Sequence, residues 1–286
     1  MFNEKIPKEW STLYWDSFKR NIGIVSFDDQ EKLRTTPIAI FGVGGLGSPL
    51  VEQLVRSGCE KILICDNDKF VLSNLNRQNC FLSDIGKFKV DVIEEQLKNI
   101  NPNLELLKFY EVSSSNINEI LDKKILAVLA LDDPIASILI ARECKKRKIH
   151  LLESWAIPFI YSCWFTDESM NYESFYGLNT HNLTLEEIES SKDIITKVKS
   201  NFYQKLTKFP NIEEKYNREH GALEALMSGQ IPSISFAPIV RLNASYLAFE
   251  VIFSGILNYK PKILAPKLVA FDIFEMKKIE LNSKQS

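Results

Sequence analysis

No two cysteines in this chain stand at Cys-x-x-Cys spacing; the five present, Cys59, Cys65, Cys80, Cys144 and Cys163, are scattered. That spacing argues against a disulfide framework and against a cysteine-held zinc ion, and free thiols suit a reducing cytoplasm, the expected location. No apolar run approaches the roughly 18 residues that cross a bilayer. The opening MFNEKIPKEW carries charges where a secretory signal would carry an apolar stretch. Charge of one sign is not in excess either: 35 Lys and Arg stand against 37 Asp and Glu, a net of −2. No global field then draws the chain to nucleic acid or to a membrane, and neither is expected as a partner. The densest cation run, Lys145-Lys146-Arg147-Lys148, reads as a solvated helix end. Internal repeats and low-complexity segments are missing too.

What is present is ordinary. The chain has 286 residues, 45% of them apolar and 11% aromatic, enough for one large or two small domains. From TPIAIFGVGG onward, short apolar strands alternate with helical periodicity. KILIC, LELLKFYEV, ILAVLAL and HLLESWAI read as strands, separated by helices over SPLVEQLVRSG, GKFKVDVIEEQLKNINP, INEILD and PIASILIARECKKRK. This alternation predicts an α/β fold with a doubly wound, mostly parallel, Rossmann-like sheet. After FIYSCWF the style changes to a polar, helical stretch, followed by a long amphipathic helix at APIVRLNASYLAFEVIFSGIL and one or two strands in KLVAFDIFEMKKIEL.

The run GVGGLGS, with Gly42, Gly44, Gly45 and Gly47, follows a strand and opens a helix. Glycines there allow a tight turn and close approach of backbone to a ligand, and a helix N-terminus favours an anion. Asp66 lies nineteen residues beyond Gly47 at the end of the second strand, where an acid accepts hydrogen bonds from a ribose. A dehydrogenase and an ATP enzyme share these features. The residues behind Asp66 separate them: Asp68, Asn74, Arg77, Gln78 and Lys89 bring amides and two cations to a glycine loop, which suits a triphosphate better than a hydride carrier. Asp132-Asp133, after the fourth strand, stands at the ligand edge of such a sheet. Asp132 is a candidate for holding Mg²⁺ against phosphate, and Asp133 ahead of Pro134 fits a helix N-cap.

These residues resemble the superfamily of ATP-dependent adenylating enzymes related to ThiF, MoeB and ubiquitin-activating enzyme. The matching runs are Asp66-Asn67-Asp68, Ser73-Asn74-Leu75-Asn76-Arg77-Gln78 and Gly86-Lys87-Phe88-Lys89, preceded by KRNIGIVSFDDQEKLRTTPIAIFGVGGLGS. The resemblance implies that the four loop glycines line the nucleotide, that Asp66 holds the ribose, and that Asn74, Arg77, Gln78 and Lys89 meet the phosphates. It implies ATP and Mg²⁺ as cofactors, with Asp132 on the metal, and Arg77, Lys89, Asp132 and Arg20 as the catalytic set. Arg20 would reach the neighbouring subunit's site in a homodimer. A substrate carboxylate would attack the α-phosphate and release pyrophosphate.

The chain departs from many relatives in having no zinc cysteines and no cysteine between Trp164 and Ser286 to take over an acyl group. Cys163, in an apolar strand, reads as a core residue. No zinc is expected, and thioester or sulfur relay has little support. The resemblance then points to the branch that modifies ribosomally made peptides, including the pantocin A enzyme PaaA and the microcin C enzyme MccB. On that expectation the substrate is a precursor peptide whose activated carboxyl condenses or cyclises. The alternative is the Gly-Gly terminus of a ubiquitin-like or sulfur-carrier protein. The expected division is 1–35 as a helical arm, 36–165 as the nucleotide-binding core, 166–232 as a helical substrate-binding insertion, and 233–286 as the return to the core. Substrate contacts are sought at Lys199 and Arg241, the latter read as a buried arginine in need of an anion. Lys192, Lys197, Lys205 and Lys208 could attract an acidic peptide, and His181 and His220 could carry protons.

Overall fold

A computed structural model describes residues 6–281. The outermost five residues of the helical arm and of the C-terminal part lie outside the described residues. Two helices open the chain, α1 (Thr12–Phe18) and α2 (Phe27–Thr35), capped by Ser11 and Ser26 side chains. Strand β1 (Ile38–Phe41) runs into the glycine loop and α3 (Gly47–Arg56). Strand β2 (Lys61–Cys65), α4 (Lys89–Ile100), β3 (Glu105–Phe109), α5 (Ile117–Ile120) and β4 (Leu126–Leu129) follow. Then come α6 (Pro134–Lys146), β5 (His150–Glu153) and β6 (Phe159–Phe165). Five helices fill the next stretch: α7 (Tyr172–Phe175), α8 (Leu185–Ser190), α9 (Lys192–Leu206), α10 (Ile212–Tyr216) and α11 (Ala222–Met227). Helix α12 (Ala237–Phe249), continued by a π-helical turn over Glu250–Ile256, leads to β7 (Leu268–Asp272) and β8 (Lys277–Leu281).

All eight strands form one sheet in the order β3-β2-β1-β4-β5-β6-β7-β8. The first five strands are parallel, and β6, β7 and β8 extend the sheet antiparallel. The uninterrupted apolar runs in β1 and β4 have the physical reason expected of parallel strands: both faces are covered. Ala39, Phe41, Leu129 and Leu151 point into one core layer, which includes Tyr172, Phe175, Tyr176, Val198, Leu206 and Leu226 from the 166–232 segment. Ile38, Ile40, Val128 and Leu152 point into the other, against α3, α4 and α12. The polar-looking segment therefore supplies the cover of one sheet face. Arg142 of α6 fastens it, pairing with Glu173 at 2.8 Å and donating to the carbonyls of Thr180 and Leu183.

The membrane exclusion needs one correction. Ala237–Ile256 is long and apolar enough to cross a bilayer by length and composition. Its apolarity has another cause: α12 packs across the sheet, with Val240, Ala244, Leu247 and Val251 fully buried.

The strand order places a topological switch between β1 and β4. From β1 the chain winds through β2 and β3 on one side, then returns to β4 on the other. Ligand crevices open beyond the carboxyl ends of strands at such a point. Phe41, Cys65, Leu129 and Glu153 lie in one row at those ends.

Candidate active site

The glycine loop springs from β1, and its glycines serve two different needs. Gly42 has φ +91°, and a Cβ there would sit 2.5 Å from the Ala130 carbonyl oxygen; at Gly47 a Cβ would fall 1.8 Å from the Gly42 oxygen. Those two allow the backbone to pass against itself and β4. Gly44 and Gly45 face side chains instead: a Cβ at Gly44 would lie 3.6 Å from the Gln78 amide nitrogen, and one at Gly45 3.2 Å from the Arg77 side chain. No side chain caps the start of α3, so its first-turn amides carry the partial positive charge that attracts anions.

Asp66 follows β2 directly, with its carboxylate turned back under this loop. It accepts the Val43 amide at 2.8 Å and the Asp68 amide at 2.9 Å. Burial pushes its pKa up; Lys89, 3.9 Å away, and the two backbone donors oppose that shift. Lys89 opens α4 and is itself buried, donating to Asp68 at 2.7 Å. Asn74 fixes the turn behind Asp66 by accepting the Val71 amide. Gln78 is buried, with its Oε1 lacking any hydrogen-bond partner. A buried acceptor left unmet beside a glycine loop is what a bound ligand's donor, or a water, would satisfy. Arg77 donates to the Ser73 carbonyl at 3.0 Å and to Asn76 Oδ1 at 2.8 Å. Among the described residues no carboxylate pairs with it, so its charge faces the cavity uncompensated.

Asp132 and Asp133 separate as expected. Asp133 caps α6, accepting the amides of Ile135 and Ala136 at 2.8 and 3.2 Å. Asp132 is exposed and has no such task. Among the described residues no group of three or more His, Cys, Asp or Glu side chains could hold a metal. Asp132 would therefore hold Mg²⁺ only together with phosphate oxygens.

One cavity of about 760 Å³ joins these groups: Gly42, Gly44, Gly45, Asp66, Asp68, Asn74, Arg77, Gln78, Lys89 and Asp132 all line it. Its remaining wall comes largely from the 166–232 segment, but its aromatic residues were not among the expected contacts. Trp155, Phe202, Tyr203, Leu206, Tyr216 and Leu226 make a broad aromatic and aliphatic surface, and Lys199 reaches the same space. Tyr176 and Phe202 stack at 4.1 Å, with Trp155 parallel to both. Glu153, at the end of β5, is buried in this wall and accepts hydrogen bonds from Tyr172 at 2.7 Å and Tyr176 at 2.5 Å. Burial pushes its pKa up to about 7 against those two donors.

Other expected site residues fall elsewhere. Arg20 is exposed on a turn beyond α1 and does not line its own chain's cavity. Arg241 is not buried: it projects from the open face of α12 and is absent from the cavity wall, so solvent removes its need for an anionic partner. His181 sits 3.7 Å from Glu173 beside a smaller cavity, and His220 is exposed. Lys205 packs its ammonium 4.0 Å over the Phe175 ring, and Lys192, Lys197 and Lys208 are exposed. Cys163 is buried in β6 and its thiol is pushed well above the usual range by desolvation, as a core cysteine would be.

The chain matches the sequence pattern of the ThiF family over residues 18–286. It is 34% identical over 142 residues to the tRNA threonylcarbamoyladenosine dehydratase of Bacillus subtilis, covering 48% of this chain and 55% of that protein. It is 43% identical over 98 residues to the ubiquitin-like modifier-activating enzyme 5 of Gallus gallus, covering 34% of this chain and 23% of that one. The chain thus spans about half the length of the first of these relatives and less of the second. In three dimensions it is similar to PaaA, with a TM-score of 0.69 and 20% identity over 97% of this chain and 86% of that one. It also resembles E. coli MccB solved with ATP, with a TM-score of 0.62 and 20% identity over 89% of this chain and 66% of that one. With a family pattern running through nearly its whole length and a glycine loop, buried acid and cation pair gathered at the switch point, the chain belongs to the ThiF family.

Proposed function

We propose that this protein adenylates a carboxyl group of a ribosomally made peptide with ATP, and that the activated carboxyl then condenses within the peptide. The observation that carries the first step is the Arg77 guanidinium, with no carboxylate partner among the described residues, sharing a cavity wall with the loop glycines, Lys89 and the unmet Gln78 acceptor. Asp66 is suited to a ribose. Arg77 and Lys89 are suited to neutralise a triphosphate, which a carboxylate cannot otherwise approach. Asp132 would hold Mg²⁺, whose charge adds to theirs. The substrate oxygen bonds to the α-phosphorus, the bond to the β-phosphate bridge breaks, and pyrophosphate leaves with the electron pair. Catalysis here is positioning and charge neutralisation, and no protein nucleophile is required.

The peptide half of the proposal rests on the aromatic wall and on the chain's cysteines. Trp155, Phe202, Tyr203 and Tyr216 give a deep apolar surface next to the reacting end, as a peptide side chain would need. Cys163 is buried in the sheet and desolvation pushes its thiol well above the usual range, so it is poorly placed to take over an acyl group. The likeness to PaaA over 97% of this chain agrees with this reading. Arg20 is proposed to act across a homodimer, its exposed position away from its own cavity being the reason.

Pyrophosphate exchange into ATP tests the proposal. A pool of synthetic peptides with free terminal and side-chain carboxyls is compared with carrier proteins ending in Gly-Gly. Exchange with peptides supports the proposal. Exchange only with Gly-Gly proteins replaces it with the carrier-protein reading, and exchange with neither overturns it.

A further inference from the structure

Glu153 is a buried carboxyl that the adenylation step does not use. It pairs in register with Leu129, whose strand leads to Asp132, so it stands one strand from the proposed reacting end. Tyr172 and Tyr176 hold one oxygen each, which fixes the side chain yet leaves each oxygen a further lone pair. The other acids of the cavity are engaged or open to water. Asp66 accepts two backbone amides, Asp68 pairs with Lys89, Asp133 caps α6, and Glu111 and Asp132 are exposed. Of the carboxyls that line this cavity, Glu153 is the desolvated one whose oxygens are both held by other side chains.

We propose that Glu153 is the proton acceptor of the second half-reaction, taking a proton from a nitrogen nucleophile of the peptide as that nitrogen attacks the acyl-adenylate. The inference rests on the adenylation reading above. The nitrogen–carbon bond forms, the bond between the acyl carbon and the phosphate oxygen breaks, and AMP leaves with the electron pair. The N–H proton passes to the Glu153 carboxylate and then to water. The titratable groups facing Glu153 are Tyr172 of α7 and Tyr176 just after it, Tyr161 and Cys163 from β6, and Lys205 from α9. The tyrosines and the cysteine stay neutral near pH 7, leaving Lys205 as the cation that helps Glu153 ionise. A buried carboxyl whose pKa is about 7 is matched to proton transfer at neutral pH.

The test uses the full chain, ATP, Mg²⁺ and the peptide from the synthetic pool that supports the fastest exchange. For Glu153→Gln the expected result is exchange within about threefold of the parent, with condensed product and AMP release down by about 10² or more. Hydroxylamine, which needs no base, should capture the activated acyl group as a hydroxamate equally well with both proteins. Tyr176→Phe removes a donor that favours the carboxylate, so the rising limb of product formation with pH should move to higher pH. Equal loss of exchange and product in Glu153→Gln, unchanged product formation, or an unmoved pH limb in Tyr176→Phe would each overturn the proposal. So would exchange by the parent with no condensed product. No exchange by the parent on any peptide is the separate failure of the adenylation reading, and it removes this inference with it.

Discussion

The Lys89 ammonium lies 2.7 Å from Asp68 and 3.9 Å from Asp66, one acid exposed and the other buried. Of these two contacts the longer has the greater consequence, because Asp66 has little water to stabilise its charge. Burial already pushes the Asp66 pKa up, which favours the protonated form in the folded state. Removing the cation in Lys89→Ala raises it further. The stability that the ionised Asp66 withholds is then recovered as pH falls. Lys89→Ala should lose about 2 kcal/mol at pH 7, and less at pH 5, relative to the parent. Urea midpoints at the two pH values measure this. Equal losses at both would contradict it.

Gly44 and Gly47 differ in what a methyl group would strike, the Gln78 side chain at ordinary contact distance or the Gly42 carbonyl at 1.8 Å. Gly47→Ala should therefore unfold the loop and lower the melting temperature by several degrees. Gly44→Ala should melt like the parent but bind ATP about 10-fold more weakly, a change of about 1.4 kcal/mol, because the methyl would stand in the proposed nucleotide site. Thermal melts with and without Mg·ATP separate the two effects. A Gly47→Ala protein that melts like the parent would refute the loop geometry.

Glu153 makes stability depend on pH in a stated direction. Its pKa is raised from 4.5 to about 7, so the folded state holds the proton more tightly than the unfolded chain does. Stability should decline as pH rises from about 4.5 through about 7 and level off above, a span on the order of 3 kcal/mol. Glu153→Gln should flatten that decline. Chemical denaturation of both proteins across the window checks it; parallel curves would show that Glu153 is not the group responsible.

Arg142 joins the 166–232 segment to α6 through Glu173, Thr180 and Leu183. Arg142→Ala leaves the Glu173 carboxylate buried with only the Thr180 hydroxyl and the His181 ring beside it. A loss of about 3 kcal/mol is expected, concentrated in faster amide exchange across α7 and α8. Uniform acceleration throughout the sheet would argue against a local fastening.

Much of this was legible in the sequence, for identifiable reasons. β1 is short and wholly apolar and ends at a glycine, and β2 is apolar between Lys61 and Asp66, so their limits follow from the residues alone. The glycine loop and the Asp66 to Lys89 cluster are local, and local spacing carries them. Glu153 was not legible: in HLLESWAI it is one polar letter at a strand end. Its meaning comes from Tyr172 and Tyr176, nineteen and twenty-three residues on. The aromatic wall is hidden likewise, since α9 is mostly polar and buries only Val198 and Leu206, while α7 and α11 are too short to show a periodic apolar face. Arg241 misled because α12 is apolar on more than its buried side: Leu242 and Phe249 are exposed beside it. An apolar neighbourhood in sequence was therefore no guide to burial in space.

The central claim is that the cations behind β2 serve a nucleotide's phosphates. Calorimetric titration of Mg·ATP into the parent and into Arg77→Ala, with NADH as the competing ligand, tests it most directly. The account predicts that the parent binds Mg·ATP, that NADH does not displace it, and that Arg77→Ala binds at least about 30-fold more weakly, as loss of a charge-assisted contact worth about 2 kcal/mol requires. Equal affinity of the two proteins for Mg·ATP, or displacement by NADH, would contradict it.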